Sequence, residues 1–445
     1  MRDYHFPAFE RRVLPNGGRL VVAPVHKLPV VTVLALVDAG AVADPAGGEG
    51  LAQLTARALT EGAGGRDGAE LTEAFEQLGT AVDASASWEA AIARFTVVRS
   101  KLEAAFGLFA DVLRAPDFPI REIERLKGER IAELLQQRAE PRGLADELFE
   151  RVAYAPGSRF TVPDGGTEAT VRELTRERVL DFYASRYRPG AVTLVVAGDV
   201  SVDDAYALAE RAFGTWSGAA PAAVVADDAP RFVERRVHLV RKSDAAQAEL
   251  RVGHVSVPRS HPDYFAITLM NAVLGGLFSS RINLNLREVH GYTYGASSGV
   301  DWRRVAGPWV VSSAVQSDVT VNAAREVLLE IDRMRSAPIS DSELSLATSY
   351  LAGVFPIRYE TTAAIAGALA NAVVYDLPAD YYTTYREHVR AVTVDDVLRA
   401  AQAHLHPERL QLLVVGDPGV LRAPLLELGF GPMTEYDVEG REVGA

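Results

Sequence analysis

The fold is decided by a helix–turn–strand pattern that occurs twice, as LTRERVLDFYASRYRPGAVTLVVAGD at residues 174–199 and as VTVDDVLRAAQAHLHPERLQLLVVGD at residues 392–417. Each copy predicts a helix with a threonine N-cap, a turn at a proline and a short buried strand that ends in Gly-Asp. The spacing is kept without a gap: Thr175, Pro189 and Asp199 recur as Thr393, Pro407 and Asp417. A unit of this length repeated near the end of each half indicates a tandem duplication.

The stretch between the two halves is a predicted linker. Residues 216–232 begin with WSGAAPAAVVADDAP, which is rich in alanine, proline and aspartate and has no stable period. We therefore expect one domain at 1–215 and a second at 233–445. Both halves open with alternating strand patterns and continue with amphipathic helices. This order predicts an α+β fold of two homologous domains, each a mostly antiparallel sheet flanked by helices, which we place on one side of the sheet.

Composition narrows the classes of partner. The 445 residues are 48% hydrophobic and 24% charged, and the net charge of −13 argues against nucleic acid or an anionic membrane as the main partner. Cysteine is absent, which excludes disulfides and thiolate metal sites. No window approaches the ~18 consecutive apolar residues of a membrane span, and no secretory signal is visible. We expect a cytoplasmic protein, or a periplasmic one if a signal has been removed.

The N-terminal segment resembles the opening of pitrilysin/insulinase-family peptidase domains. The shared features are Leu-Pro-Asn-Gly at 14–17, Ala39-Gly40 at the end of a strand, and Gly-Leu-Ala at 50–52, where the family opens its metal-binding helix. The resemblance extends over nearly the whole chain, and the second half contributes to it. It implies that the two homologous domains form one half of a clamshell.

The family's zinc motif is degenerate in this chain. The family places His-x-x-Glu-His on that helix, so that two histidines on one face bind zinc and the glutamate activates water. The matching positions here are Gln53, Ala56 and Arg57. Glutamine is a poor zinc ligand, alanine is no base, and arginine stays protonated and repels a cation. Glu133 falls near the position of the family's third ligand, although an ordinary acid on a helix surface is the simpler interpretation. We expect no bound metal and no catalysis by this chain alone.

The second half keeps a positive signal in LGGLFSSRINLNLREVHGYTYGASSG at 274–299. This stretch is similar to the family motif whose arginine and tyrosine hold the scissile peptide, and the resemblance assigns those roles to Arg287 and Tyr294. The sequence itself predicts that Arg287 lies in the last turn of a helix that stops at Gly291, and that Tyr294 starts the strand that follows. The alternative is that Arg287 pairs with Glu288 while Tyr294 packs in the sheet.

Histidine spacing gives no second metal site. His404 and His406 match Arg186 and Arg188 in the repeat, so we interpret them as positions on a polar turn. The other histidines, including His261, show no zinc spacing. His290 lies beside the Arg287 motif and is a weak candidate for substrate contact.

The resemblance implies a function in a complex. Some members of the family divide the zinc motif and the Arg/Tyr pair between two chains, and this chain is similar to the second kind. We expect a non-catalytic subunit of a heterodimeric zinc metalloendopeptidase, with zinc in an active His-x-x-Glu-His partner and an extended peptide bound by strand addition. In isolation a homodimer is possible. Two alternatives stay open: a scaffold subunit like the core proteins of respiratory cytochrome bc complexes, and a peptide-binding carrier in ribosomal-peptide maturation.

Overall fold

The computed structural model describes residues 4–243 and 245–443. The chain forms two compact units, each assembled from three segments. The first unit comprises Met1–Leu134, Pro163–Val225 and Val354–Thr383, and the second comprises Leu135–Val162, Ala226–Gly353 and Thr384–Ala445.

The strands, in chain order, are β1 (Glu10–Val13), β2 (Arg19–Pro24), β3 (Val30–Val37), β4 (Gly62–Ala63), β5 (Arg66–Asp67), β6 (Asp83–Ala86), β7 (Ala91–Val98), β8 (Val192–Gly198), β9 (Arg236–Arg241), β10 (Ala248–Val255), β11 (Ala296–Val300), β12 (Pro308–Val315), β13 (Gln411–Gly416) and β14 (Met433–Tyr436). The helices are α1 (Leu51–Ala58), α2 (Gly68–Glu76), α3 (Leu102–Arg114), α4 (Ile120–Ala139), α5 (Pro141–Ala153), α6 (Glu168–Arg172), α7 (Arg176–Arg186), α8 (Val202–Phe213), α9 (Tyr264–Asn271), α10 (Arg281–Asn283), α11 (Thr320–Ser336), α12 (Asp341–Arg358), α13 (Thr362–Val374), α14 (Tyr381–Ala391), α15 (Val394–His404) and α16 (Pro418–Glu427).

Each unit contains one six-stranded sheet, and the two sheets share a strand order. The first runs β1-β2-β8-β3-β7-β6 and the second β14-β9-β13-β10-β12-β11. The repeat strands β8 and β13 lie at equivalent places, each between one parallel and one antiparallel neighbour. The outermost pairs differ, since β1 is antiparallel to β2 whereas β14 is parallel to β9. Most pairings are antiparallel, and the predicted α+β fold class is confirmed.

The repeat folds as its sequence predicts. Thr175 and Thr393 both accept a backbone N–H as N-caps, of α7 and of α15, and Pro189 and Pro407 open short 3₁₀ turns before β8 and β13. The threonine hydroxyl satisfies a helix N–H that has no partner inside the helix, so each cap fixes where its helix begins.

Helices cover both faces of the central strands, which corrects the expectation of helices on one side only. Every residue of β8 and of β13 is buried, as in strands that are packed above and below. The strongly apolar helix α13 packs on β3 and β8 of the first sheet, where Thr362 and Thr32 share a 2.8 Å hydrogen bond. Helix α5 packs on β10 and β13 of the second sheet.

Each unit therefore contains a helix from the other half of the chain. Helix α13 follows the predicted linker but belongs to the first unit, and α5 precedes it but belongs to the second. The segment 216–229 has no helix or strand. The division at 1–215 and 233–445 stays a proposal about how the chain arose from two related halves.

Among the described residues, one helical stretch is long and apolar enough to cross a membrane: the 26 residues Tyr264–Val289, whose most apolar 18-residue window has a mean hydropathy of 1.4. Within its most apolar window 56% is buried inside the protein. A core helix passes the same test, and residues 277–280 interrupt this one, so it is weak evidence for a membrane.

Candidate functional site

Local contacts determine where helix α1 begins; the sequence resemblance aligns this helix with the family's metal helix. Gly50 has φ +100°, and a β carbon there would lie 2.8 Å from the carbonyl oxygen of Gly165. The buried carboxylate of Asp44 accepts the backbone N–H of Gly50 at 2.9 Å and that of Ala52 at 2.7 Å. A negative charge bonded to the first amides stabilises the helix start. The orientation of α1 is thus determined by local contacts that need no metal.

The residues at the motif positions face different surroundings. Ala56 is completely buried, whereas Gln53 and Arg57 are half-buried one helical turn apart on the same face. The Arg57 guanidinium pairs with Glu133 at 3.0 Å and with Glu129 at 3.2 Å, both on α4. The structure therefore brings together two of the positions singled out in the sequence, Arg57 and Glu133, as an ion pair.

This ion pair belongs to a network of three arginines and four glutamates. Arg130 pairs with Glu133 at 3.2 Å and donates to the carbonyl of Gly165, and Arg125 pairs with Glu129 at 2.5 Å. Hydrogen bonds to Glu122 and Glu61 raise the pKa of Arg125 despite its partial burial. Glu129 and Glu133 are each paired with two guanidinium groups, so both carboxylates already have cationic partners.

The family's zinc does not fit this donor set. An amide, a methyl group and a paired guanidinium stand where two imidazoles and a base would be needed, and the remaining carboxylate is already bonded. The zinc chemistry of the family therefore has no ligands at these positions.

The motif of the second unit lies on an irregular helix. Residues Leu284–Val289 form a π-helical turn, a rare geometry that is frequent at functional sites, and Gly291 at φ +65° ends it. Arg287 pairs with Glu288 at 3.3 Å, and its guanidinium lies 4.7 Å from the ring centre of Phe278. The contact of Arg287 with Glu288 thus agrees with the first part of the alternative interpretation given in the sequence analysis.

Tyr294, the second residue of the Arg/Tyr motif, does not pack in the sheet as the alternative interpretation expects. It is 92% exposed and is separated from β11 by one residue, Gly295, so its ring does not pack in the sheet. The neighbouring Thr293 holds the loop by donating its hydroxyl to the carbonyl of Ala314 at 2.7 Å. A large aromatic side chain displayed on an anchored loop is available for a ligand or a partner.

A cavity of about 640 Å³ adjoins the π-helical turn. Its wall combines apolar and charged side chains, among them Leu284, Val289, His290, Glu326 and Arg333. His290 lies 3.8 Å from Glu326 and stacks on Tyr292. The weak candidate His290 therefore lies on a cavity wall, next to a carboxylate.

Strand β11, which follows Tyr294, is the last strand of its sheet. Its outward-facing residues Ser297 and Gly299 are exposed, and small side chains there leave the backbone open. An extended peptide can add to such an edge through main-chain hydrogen bonds.

Sequence reasoning missed one cluster of potential ligands. His404 is the last residue of α15, buried and 2.8 Å from Asp263, which corrects its assignment to a polar turn. Within residues 4–243 and 245–443, only His261, Asp263 and His404 form a group of three that could share a metal ion. The pair His404 and Asp263 is 141 residues apart, so spacing carried no signal for it.

Comparison with known families gives two matches along the chain. Residues 20–158 match the profile described as "Insulinase (Peptidase family M16)", and residues 173–351 match the profile described as "Peptidase M16 inactive domain". Together they cover most of both halves.

Individual relatives agree with these matches. An uncharacterised zinc protease of Mycobacterium tuberculosis is 24% identical over 418 residues, 93% of this chain and 94% of the relative. The crystal structure of a peptidase M16 inactive domain from Pseudomonas fluorescens has a TM-score of 0.86 at 24% identity, covering 92% of this chain and 98% of its own. A chain of complex III2 from Candida albicans has a TM-score of 0.78 at 15% identity, covering 95% and 100%. At these identities the two solved structures show a common fold.

Proposed function

This chain belongs to the insulinase family of peptidases, family M16, and on that premise we propose that it is the non-catalytic, substrate-positioning subunit of a heterodimeric zinc metalloendopeptidase. Its substrate would be an extended peptide, and zinc would be supplied by a homologous partner with an intact His-x-x-Glu-His motif. The similarity to the inactive M16 domain supports a non-catalytic member of the family.

The observation that carries the proposal is the ion pair of Arg57 with Glu133. A positive charge 3.0 Å from that carboxylate is paired with the acid that the resemblance places near the family's third zinc-ligand position. With Ala56 fully buried beside it, the helix has neither a ligand nor a base to activate water. In our proposal the hydrolytic centre comes from another chain.

Substrate positioning is supported by the arrangement around Arg287 and Tyr294. A guanidinium that is held over Phe278 and a phenol that points into solvent are two donors able to bond a carbonyl oxygen. A donor aimed at a developing oxyanion contributes roughly 10²–10³ in rate. Such donors act equally well when the metal is held by another subunit, provided that the assembly places them correctly.

Peptide binding is supported by the free edge of β11 and by the neighbouring cavity. Main-chain pairing along β11 would hold a peptide without regard to its sequence, and the cavity of about 640 Å³ would receive a side chain. Arg281 and Arg333 line that cavity together with Glu326 and Glu330, so these four side chains give its wall no excess of either charge.

The test is hydrolysis of an extended peptide by this chain co-purified with its zinc-motif homologue. Arg287→Ala and Tyr294→Phe should each lower kcat of the pair by roughly 10²–10³ while assembly is unchanged. Two matched controls lie in the same unit: Arg325→Ala removes another exposed arginine, and Tyr350→Phe removes another exposed phenol. Both controls should leave kcat within about twofold.

Unchanged hydrolysis by both motif variants, in a complex that still forms, would contradict the positioning role. If leaving out this chain abolished hydrolysis by the homologue while the motif variants stayed fully active, a scaffold role would replace the present proposal.

A further inference from the structure

A half-buried group of two imidazoles and a carboxylate lies in the second unit, apart from the Arg287 motif. His404 Nε2 is 2.8 Å from Asp263 Oδ2, and the ring centres of His261 and His404 are 4.8 Å apart. One ligand atom from each of the three side chains lies within 4.8 Å of the other two. His261 and Asp263 come just before α9, and His404 ends α15, so the group joins two separate helices.

These distances are close to those of a metal site. Two ligand atoms in a tetrahedral zinc shell lie about 3.4 Å apart, as follows from metal–ligand bonds of ~2.1 Å. To match this spacing, the distance between the ligand atoms of His404 and Asp263 would increase by about half an ångström, and the ligand atom of His261 would move up to about 1.5 Å closer to the other two. Side-chain rotation can supply movements of that size, while the backbone of both helices stays in place.

Hydrogen bonds already link the three side chains. His261 Nδ1 accepts the backbone N–H of Asp263 at 3.1 Å, and His404 Nε2 is hydrogen-bonded to Asp263 Oδ2 at 2.8 Å. A cation bound by this group would replace hydrogen bonds of this kind, because an imidazole nitrogen that ligates a metal carries no proton.

The competing explanation is a purely structural network around Asp263. Its second oxygen accepts a hydrogen bond from Arg399 at 2.8 Å, and a guanidinium beside a cation is unfavourable. However, Arg399 is 53% exposed and has another acid, Asp396, one turn away at 3.5 Å. It can turn towards Asp396 and solvent when a cation binds Asp263.

We propose that His261, Asp263 and His404 bind one divalent transition-metal ion, for which Zn²⁺ is the best match. Two imidazole nitrogens with one carboxylate oxygen are a donor set of zinc and its first-row neighbours, whereas Mg²⁺ and Ca²⁺ prefer oxygen alone. The ion would tie the start of α9 to the end of α15. This differs from the sequence-based expectation that the chain binds no metal, and it is independent of the proposed role in proteolysis.

The experiment uses the full chain, freed of metal with a chelator and titrated with ZnCl₂ against a chromogenic chelator. We expect one tightly bound ion per chain, and a visible Co²⁺ spectrum of a four- or five-coordinate site when Co²⁺ replaces zinc. H261Q and H404Q should each lower zinc affinity by at least about tenfold. The matched control is H406Q, because His406 lies two residues from His404 but pairs with Glu408.

A second measurement keeps the test independent of folding. The side-chain amide that H404Q introduces can still donate to Asp263, so the variant keeps the hydrogen bond that the competing network needs. Zinc should raise Tm of the wild type and of H406Q but not of H404Q. An equal rise in all three proteins, or no stoichiometric zinc in the wild type, would overturn the proposal.

Discussion

Restoring two histidines on α1 should create a zinc site in the first unit. The double change Gln53→His and Arg57→His places two imidazoles one turn apart on the same face, opposite Glu133, which lies 3.0 Å from the present Arg57 side chain. Ala56 is left unchanged, because a glutamate in that fully buried position would add an unpaired charge. The variant therefore tests the positions of ligands without any demand for catalysis.

The expected change in the free energy of unfolding has two parts. Losing the Arg57 ion pairs should cost only about 1 kcal/mol, since Arg57 is 30% exposed and its two glutamate partners are still more open to solvent. Zinc at 100 times its Kd then returns about 2.7 kcal/mol. For a unit of this size that corresponds to a rise in Tm of ~5–11 °C.

The assay is thermal unfolding with and without zinc, carried out in an H404Q background so that the proposed site of the second unit does not contribute. The matched control adds Glu133→Gln to the double variant and should lose most of the zinc-dependent rise. An identical rise with and without Glu133, or no rise in the double variant, would refute the assignment of Gln53, Arg57 and Glu133 to the three ligand positions.

Two further predictions concern stability. Gly50→Ala should destabilise the first unit by about 2 kcal/mol in urea denaturation, because the alanine at this left-handed position would have its β carbon 2.8 Å from the Gly165 carbonyl oxygen. The control Gly107→Ala lies in α3 with open space around it and should stabilise the protein by ~0.5–1 kcal/mol in the same assay. Equal effects of the two variants would contradict this reasoning. Hydrogen bonds from Arg281 hold the pKa of Glu343 at about 2, below its ordinary value near 4.5. A depressed acid stabilises the fold above pH ~4.5 and loses that contribution as the pH falls towards 2. Because Glu343 is partly exposed, E343Q should cost about 1–2 kcal/mol at pH 7 and little at pH 2, and a cost that does not change with pH would be contrary to this account.

Local signals allowed much of the fold to be predicted from the sequence. The caps Thr175 and Thr393, the prolines that follow and the apolar runs of β8 and β13 each act over a few residues, and the structure confirms them. The placement of α5 and α13 was not accessible in this way. The apolar face of a helix predicts that the helix is buried, but it does not indicate which of two similar sheets the helix packs on.

The sites show the same division between local and long-range information. The degenerate motif could be recognised from the sequence because the three replaced positions, Gln53, Ala56 and Arg57, lie within one and a half turns of a helix. The contact of Arg57 with Glu129 could not be predicted in this way, because the two residues lie on separate helices, α1 and α4, that the tertiary structure brings together. Tyr294 was undecided between packing and exposure, since an aromatic residue before a strand is compatible with both.

The central claim is tested most directly by peptide hydrolysis with added zinc, measured for this chain alone, for its zinc-motif homologue alone, and for the two together. The account predicts no turnover by this chain alone and a marked gain when it joins the homologue, with the gain lost in the Arg287→Ala variant. Turnover by this purified chain without a companion would contradict it.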